Sequence, residues 1–243
     1  HRDQNKRSRI ISIINNGTIK TGSGSQGMYG EESSLMENNG NILSSEAKTA
    51  GIYAQGTGAM TISNTGTINL QGDKSAGIYA KGTGTKTITN IGTVETDISG
   101  TGIYSDNASD IIINTGIIKG GAGSAGIYGK GNIITQQGKI YAGDSGIGIY
   151  TDGGTVVLSA GSELKAGKDH AVGVYGINGA SIVNDGETSI GDGSFGYGLK
   201  SGSNLLNNTA LTLGNNAAGV YGDGAGSITA NSTAAINMTG SDN

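Results

Sequence analysis

Ala76-Gly77-Ile78-Tyr79-Ala80-Lys81-Gly82-Thr83-Gly84-Thr85-Lys86-Thr87-Ile88-Thr89-Asn90-Ile91-Gly92-Thr93-Val94-Glu95 decides the fold, because the chain writes this passage again and again. One marker in it is Gly-aliphatic-Tyr. It occurs as Gly27-Met28-Tyr29, Gly51-Ile52-Tyr53, Gly77-Ile78-Tyr79, Gly102-Ile103-Tyr104, Gly126-Ile127-Tyr128, Gly148-Ile149-Tyr150, Gly173-Val174-Tyr175 and Gly219-Val220-Tyr221. Gly198-Leu199-Lys200 reads as the same motif with Lys in the Tyr place. From Tyr29 to Tyr221 is 192 residues in eight steps, 24 per step, with single steps of 21 to 26. A second marker keeps the same phase, a row of Asn before a Gly: Asn15, Asn38, Asn64, Asn90 and Asn114, then Gln136 and Ser159, then Asn184, Asn207 and Asn231. Two markers sharing one period identify a repeat architecture.

Each repeat divides into three short strands. Around Ala76–Ala80 lies the first, after which comes a Gly-rich turn, Lys81–Gly84. Thr85–Thr89 forms the second, and Asn90-Ile91-Gly92 is a corner leading into the third, Thr93–Glu95. Glycine interrupts every segment too often for a helix, and no 3.6-residue periodicity appears. The reading is an all-β, right-handed, single-stranded parallel β-helix of about ten coils of roughly 24 residues. Strands in successive coils would lie about 4.8 Å apart, giving a rod of roughly 45–50 Å. Residues 11–240 form this solenoid, residues 1–10 an N-terminal edge or cut boundary, and residues 241–243 a C-terminal edge.

Side chains alternate between the faces of a strand. The aliphatic row before each Tyr therefore faces the core, and the Tyr row faces out. Lys200, in a Tyr place, supports the outward assignment, since an unpaired lysine is seldom buried. Outward glycines two residues before each Tyr would let the rings lie over the backbone. Tyr53, Tyr79, Tyr104, Tyr128, Tyr150 and Tyr175 are the candidate binding residues. They either shield the backbone by stacking on one another or form an aromatic platform for a glycan or protein. The Asn row is expected to hold left-handed corners and to hydrogen-bond along the stack, with Gly17, Gly40, Gly66, Gly92 and Gly116 completing the corner. Lys81, Asp106, Lys130 and Asp152, two residues after successive Tyr positions, alternate in sign and would support register.

Composition limits the chemistry. Of 243 residues 47 are Gly, none is Pro, Cys or Trp, and the net charge is −4. Without cysteine there is no disulfide, thiol nucleophile or zinc-thiolate site. No apolar run is long enough for a membrane span. The basic cluster Arg2, Lys6, Arg7 and Arg9 reads as a solvated end or cut site, and nucleic acid is not an expected partner. The start at His1 suggests a piece of something longer. Gly143-Asp144-Ser145-Gly146 has the form of a serine-protease nucleophile loop, but Asp144 recurs as Asp73 and Asp169, six residues before their Tyr. The loop is thus a variant of a repeated turn, and the His and Asp that a triad needs upstream are missing. Asp144 and Asp169 in adjacent coils, near His170, are the best enzymatic lead, a stacked-carboxylate lyase or hydrolase. No catalytic residue, metal or cofactor is expected to operate.

The units Ala76-Gly77-Ile78-Tyr79-Ala80-Lys81-Gly82 and Asn64-Thr65-Gly66-Thr67-Ile68 resemble those of type V autotransporter passengers, in particular the large fusobacterial autotransporter adhesins. The resemblance spans residues 11–240. It implies a signal and a C-terminal outer-membrane barrel outside this piece, and display on the bacterial cell surface or secretion. It also implies a part in attachment and virulence through a host-cell or bacterial receptor, of protein or glycan. The absence of cysteine suits a chain that crosses the outer membrane unfolded. No family binding residue maps onto a motif here. The alternatives are a glycan-active β-helix enzyme, a lyase or hydrolase using stacked Asp144 and Asp169, and a purely structural stalk. The segment is expected to be monomeric, with end-to-end association possible through open strand edges.

Overall fold

A computed structural model describes residues 11–231 and 236–238; the basic cluster at Arg2–Arg9 and residues 239–243 lie outside them. The described chain is a parallel β-solenoid of three sheets. The tyrosine sheet stacks nine strands, from Gln26–Glu31 to Ala218–Asp223. An asparagine sheet stacks ten, from Ser12–Asn15 to Ile228–Ala230, and a third sheet stacks ten more, from Thr18–Lys20 to Ile236–Met238. In the quoted winding the three strands are Ala76–Lys81, Lys86–Asn90 and Thr93–Thr96. Each pairs only with its own copies one coil before and after, so Asn90 lies beside Asn64 and Asn114. Residues some two dozen apart in sequence are neighbours, as the period requires.

The core is a column fed by one aliphatic row from each sheet. Ile52, Ile78, Ile103, Ile127, Ile149 and Val174 come from the tyrosine sheet, and Ile62, Ile88, Ile112 and Ile134 from the asparagine sheet. Ile42, Ile68, Val94, Ile118 and Ile140 close the triangle from the third, and all of these are 0% exposed. Burying one such side chain contributes about 1.5–3 kcal/mol, and every coil adds several.

Two rows of glycine hold their places for reasons other than those the sequence suggested. The Gly preceding each Ile-Tyr pair faces inward, not outward: a Cβ at Gly51 would fall 2.5 Å from Ile68 Cγ2 and 2.6 Å from Gly77 O. The strand departs from strict alternation there, so that the aliphatic row of the third sheet can press against bare backbone. The corner glycines Gly66, Gly92 and Gly116 do not have positive φ. A Cβ at Gly66 would overlap Gly40 O, and one at Gly92 would overlap Gly66 O. Close stacking of one corner on the next therefore requires them.

The asparagine row is also not left-handed. From Asn15 to Gln136 it ends each strand with a buried amide, and these amides form a one-way chain. Asn15 Nδ2 donates to Asn38 Oδ1 at 2.7 Å, Asn38 to Asn64 at 2.7 Å, and Asn64 to Asn90 at 2.8 Å. Asn90 donates to Asn114 at 2.7 Å, and Asn114 to Gln136 Oε1 at 2.8 Å. Leu158, not Ser159, occupies the next place. Gln136 Nε2 is left buried with no hydrogen-bond partner, and the ladder resumes only with Asn184 donating to Asn207 at 2.7 Å. Ala230 takes the last described place in the row, and Asn231 instead donates to Asn208.

The left-handed residues are elsewhere, in the turn before each tyrosine strand. Gly24, Lys48, Lys74, Ser99, Gly123, Ser145, Asp169, Gly193 and Asn216 all have φ between 50° and 70°. From Gly24 to Gly193, each donates its N–H to a carbonyl of the coil after it, as Lys48 does to Asp73 O and Lys74 to Ile98 O.

The eighth winding of the tyrosine sheet corrects one alignment. Val174 pairs with Tyr197 and Tyr175 with Gly198, so the motif is Gly196-Tyr197-Gly198 and not Gly198-Leu199-Lys200. Tyr197 thus enters the aliphatic row, 0% exposed. Its phenol oxygen lies 3.2 Å from Thr188 Oγ1, and Thr188 stands where the coil below has Leu164. A hydroxyl moved into the core is met by a hydroxyl on the facing sheet. Lys200 belongs to the row two residues after the Tyr places and forms an ion pair with Asp223 at 3.0 Å. In that row Lys130 lies opposite Asp152, yet among the described residues the pair does not close to 4 Å. The charge alternation is a matter of register there and not of contact.

Candidate functional site

Six consecutive coils place Tyr29, Tyr53, Tyr79, Tyr104, Tyr128 and Tyr150 one above another, with Tyr175 continuing at a tilt. Ring centroids are 5.6, 5.1, 4.5, 4.8 and 4.7 Å apart along Tyr29 to Tyr150, with interplanar angles of 24°, 13°, 2°, 10° and 5°. Tyr150 and Tyr175 are 5.8 Å apart at 32°. The spacing is that of the strands themselves. Tyr53 to Tyr175 are half-buried, and Tyr29 is exposed. The outward assignment holds, although Lys200 gives it no support. Above Tyr175 the column stops, because Gly198 is next and the Tyr175 ring covers it: a Cβ on Gly198 would lie 2.6 Å from Tyr175 Cδ2.

This geometry changes what the row can offer a ligand. Ring faces are turned along the axis and closed by their neighbours, so no platform of open aromatic faces exists over Tyr53–Tyr150. Solvent meets ring edges. An aromatic ring is electron-rich on its face and electron-poor at its edge. The ridge is accordingly a strip of weakly positive C–H edges that favours electron-rich, acceptor-bearing partners.

Stacking and burial also act on the phenols. Burial first, then Tyr79 beside it, pushes the Tyr104 hydroxyl up to about 12 from 10.0. Tyr128 and Tyr150 are raised by burial, and next by Asp152 and Tyr128 respectively. A phenol whose folded value exceeds its unfolded one holds its proton longer in the native state. Its stabilisation is fully present below the unfolded value of 10.0 and is lost as pH rises toward about 12. The melting temperature is therefore expected to fall steeply over that interval, with tyrosinate absorbance rising in step with unfolding. Free ionisation of all ten tyrosines near their ordinary value, without loss of β circular dichroism, would contradict the stacked row.

A groove runs along the N-terminal side of the tyrosine strands. The rings lean the other way: Tyr29 Oη donates to Glu31 at 3.0 Å, and Tyr53 Oη to Gln55 at 3.2 Å. On the vacated side Tyr53, Tyr79 and Tyr104 make one wall, Lys48, Lys74 and Ser99 the other, with Ala50, Ala76 and Thr101 at the base, enclosing about 280 Å³. The second wall consists of the side-chain-bearing members of the left-handed column. Gly24 precedes them and Gly123 follows, so the wall is three coils long. This wall is not legible from local composition, because it depends on the left-handed backbone at Lys48 and Lys74.

The enzymatic lead is not assembled as expected. Asp144 stacks on Lys168, whose N–H it accepts at 2.8 Å, while Asp169 stacks on Ser145, whose hydroxyl donates to Asp169 O at 2.8 Å. The two carboxylates belong to different columns. The extra residue His170, itself left-handed and exposed, accounts for the offset. Asp144 closes a turn, a task that Asp192 repeats by accepting the Asn215 N–H at 2.8 Å. Among the described residues no three His, Asp or Glu side chains gather as around a metal ion.

One buried polar group was not singled out in the sequence. Lys86 is 0% exposed, and its Nζ donates to Gly84 O at 2.6 Å, Gly82 O at 3.0 Å and Gly56 O at 3.2 Å. Asp110, also 0% exposed, follows it in the next coil, accepting the Lys86 N–H at 2.7 Å and the Ser105 hydroxyl at 2.7 Å. Burial pushes the Asp110 carboxyl up, against the opposing pull of Ser105 and Lys86. Glu32 caps the same corner from outside, accepting N–H groups from Thr57 at 2.6 Å and Gly58 at 2.9 Å, which hold its carboxyl below the usual range. Every polar atom is used in holding the corner, so the cluster reads as structural.

Comparison with protein-family models, with curated proteins and with solved structures finds no match.

Proposed function

We propose that the chain is a surface-displayed β-helical passenger segment of a bacterial autotransporter adhesin, mediating or supporting attachment to host cells or to other bacteria. The supporting observation is the uninterrupted stacking of coils, strand on like strand from one end of the described chain to the other. Such a column is a spacer of fixed length, and it repeats any side chain placed on its outside at the coil spacing. Cell-surface exposure, anchoring through a barrel beyond this segment, and a receptor of protein or glycan as partner belong to the same proposal. The closed ring faces of the tyrosine row favour a second reading, a stalk that carries a binding region without gripping anything itself.

Beads coated with the chain distinguish the two. The adhesin reading expects attachment to epithelial or bacterial cells above that of beads carrying an unrelated β-solenoid. Equal attachment leaves only the stalk. Retention of the full effect by Tyr104→Ser/Tyr128→Ser would take the tyrosine ridge out of the binding surface.

A further inference from the structure

We propose that the groove between the tyrosine ridge and the left-handed turn column binds a carboxylate-bearing polysaccharide, a chain of uronic-acid sugars, lying along the solenoid axis. The inference rests on the adhesin reading and names what the segment would grip. Stacked Tyr53, Tyr79 and Tyr104 line one side of it, and two exposed cations, Lys48 and Lys74, line the other. No carboxylate lines it. In a protein whose net charge is −4, a cation-lined groove free of acids is a local reversal, which selects an anionic partner.

The two lysines occupy positions where glycine is easier. A non-glycine residue with positive φ brings its Cβ close to the following carbonyl oxygen. Lys48 (φ 59°) and Lys74 (φ 56°) sit in a column that uses Gly24, Gly123 and Gly193 elsewhere. The strained backbone fixes where both side chains depart from the turn.

Partner shape follows from the lining. It repeats coil by coil over three windings and is open to solvent. A polymer of like units fits a wall of like units. Two cations over three coils match a polymer bearing one charge per unit better than a multiply sulfated one.

The test uses the intact chain with polygalacturonate as the probe, measured by isothermal titration calorimetry. Dextran, dextran sulfate and poly-glutamate serve as comparison ligands. Polygalacturonate is expected to bind with an affinity that falls as salt rises, and dextran is expected not to bind. Lys48→Gly/Lys74→Gly should weaken binding about tenfold or more while leaving the β circular dichroism unchanged, since glycine suits both positions. Lys130→Ser/Lys168→Ser removes the same charge away from the groove and should leave the affinity within about twofold. Equal loss in both double variants would overturn the proposal in favour of diffuse attraction. So would tighter, lysine-dependent binding of dextran sulfate, or poly-glutamate binding as well as polygalacturonate, or no binding at all. Coated beads carrying Lys48→Gly/Lys74→Gly separate this from the broader reading: full cell attachment by that variant rejects the groove and leaves the adhesin standing.

Discussion

Replacing Lys86 with Met is expected to destabilise the solenoid by about 3–5 kcal/mol, the range for removing one partner of a buried charge system. Methionine fits the space, because Met60 occupies the same place one coil earlier. The loss is thus electrostatic and not a cavity effect. Three carbonyl oxygens lose an ammonium donor, and the Asp110 carboxylate is left buried with no cation behind its hydrogen bonds to Ser105 and Asn107. Guanidinium unfolding of the single variants and of Lys86→Met/Asp110→Asn would measure the coupling. The double variant should recover at least half the loss, because a neutral amide can keep the same neighbours. The deficit of Lys86→Met alone should shrink in acid, where Asp110 can take up a proton. A single variant within about 1 kcal/mol of the parent would show that the cage contributes nothing.

Asn90→Ala is expected to cost about 2–4 kcal/mol, from a small cavity and from two buried amides that lose a partner each. Asn64 Nδ2 keeps only contacts of 3.3 Å to Gly66 O and Thr93 O, and Asn114 Oδ1 loses its donor. Asn207→Ala, at the end of the second ladder segment with one amide neighbour, should cost about half as much. Asn90→Gln should be milder than Asn90→Ala, since a Gln side chain already accepts from the ladder at position 136. Thermal melts of the three variants give the ranking. Equal losses at Asn90 and Asn207 would mean that the amides act singly and not as a chain.

The period, the three strands per coil and the inward aliphatic row were all legible in the sequence, because a solenoid converts sequence spacing directly into neighbourhood. Errors entered where a coil departs from its siblings. Aligning Lys200 with the tyrosines forced one step of 25 and one of 21 residues; the true register through Gly198 makes both 23. Evenness of the steps was the signal, outweighed by a Gly-aliphatic pair that matched by accident. Ser159 matches the amide row by polarity, whereas the fold fills that place with Leu158. Local propensity points to dihedral freedom at the corner glycines, although their cause is the coil beneath, which no local rule contains. Lys86 shares the parity of Ile88, two residues on, and could have been placed inside by alternation alone. What could not be read is the cage of carbonyls that makes its burial possible. The outward row of tyrosines is legible in the sequence, but the orientation of their rings is not, and that orientation decides whether faces or edges meet solvent. Asp144 and Asp169 parted because a single inserted residue, His170, shifts one column against the next.

The one-way amide ladder carries a consequence for how the molecule can be built. Every amide from Asn15 to Asn114 donates an N–H toward the C-terminal coil, so the row has a head and a tail. A growing stack ends in an N–H waiting for an oxygen, and an arriving coil satisfies it only when its own amide lands at the same step. A coil wound one residue out of phase would seal that N–H against carbon, as happens at the Gln136–Leu158 junction. The ladder thus penalises an out-of-phase coil at each winding from Asn38 to Gln136, and the Leu158 junction is the seam at which that penalty is absent.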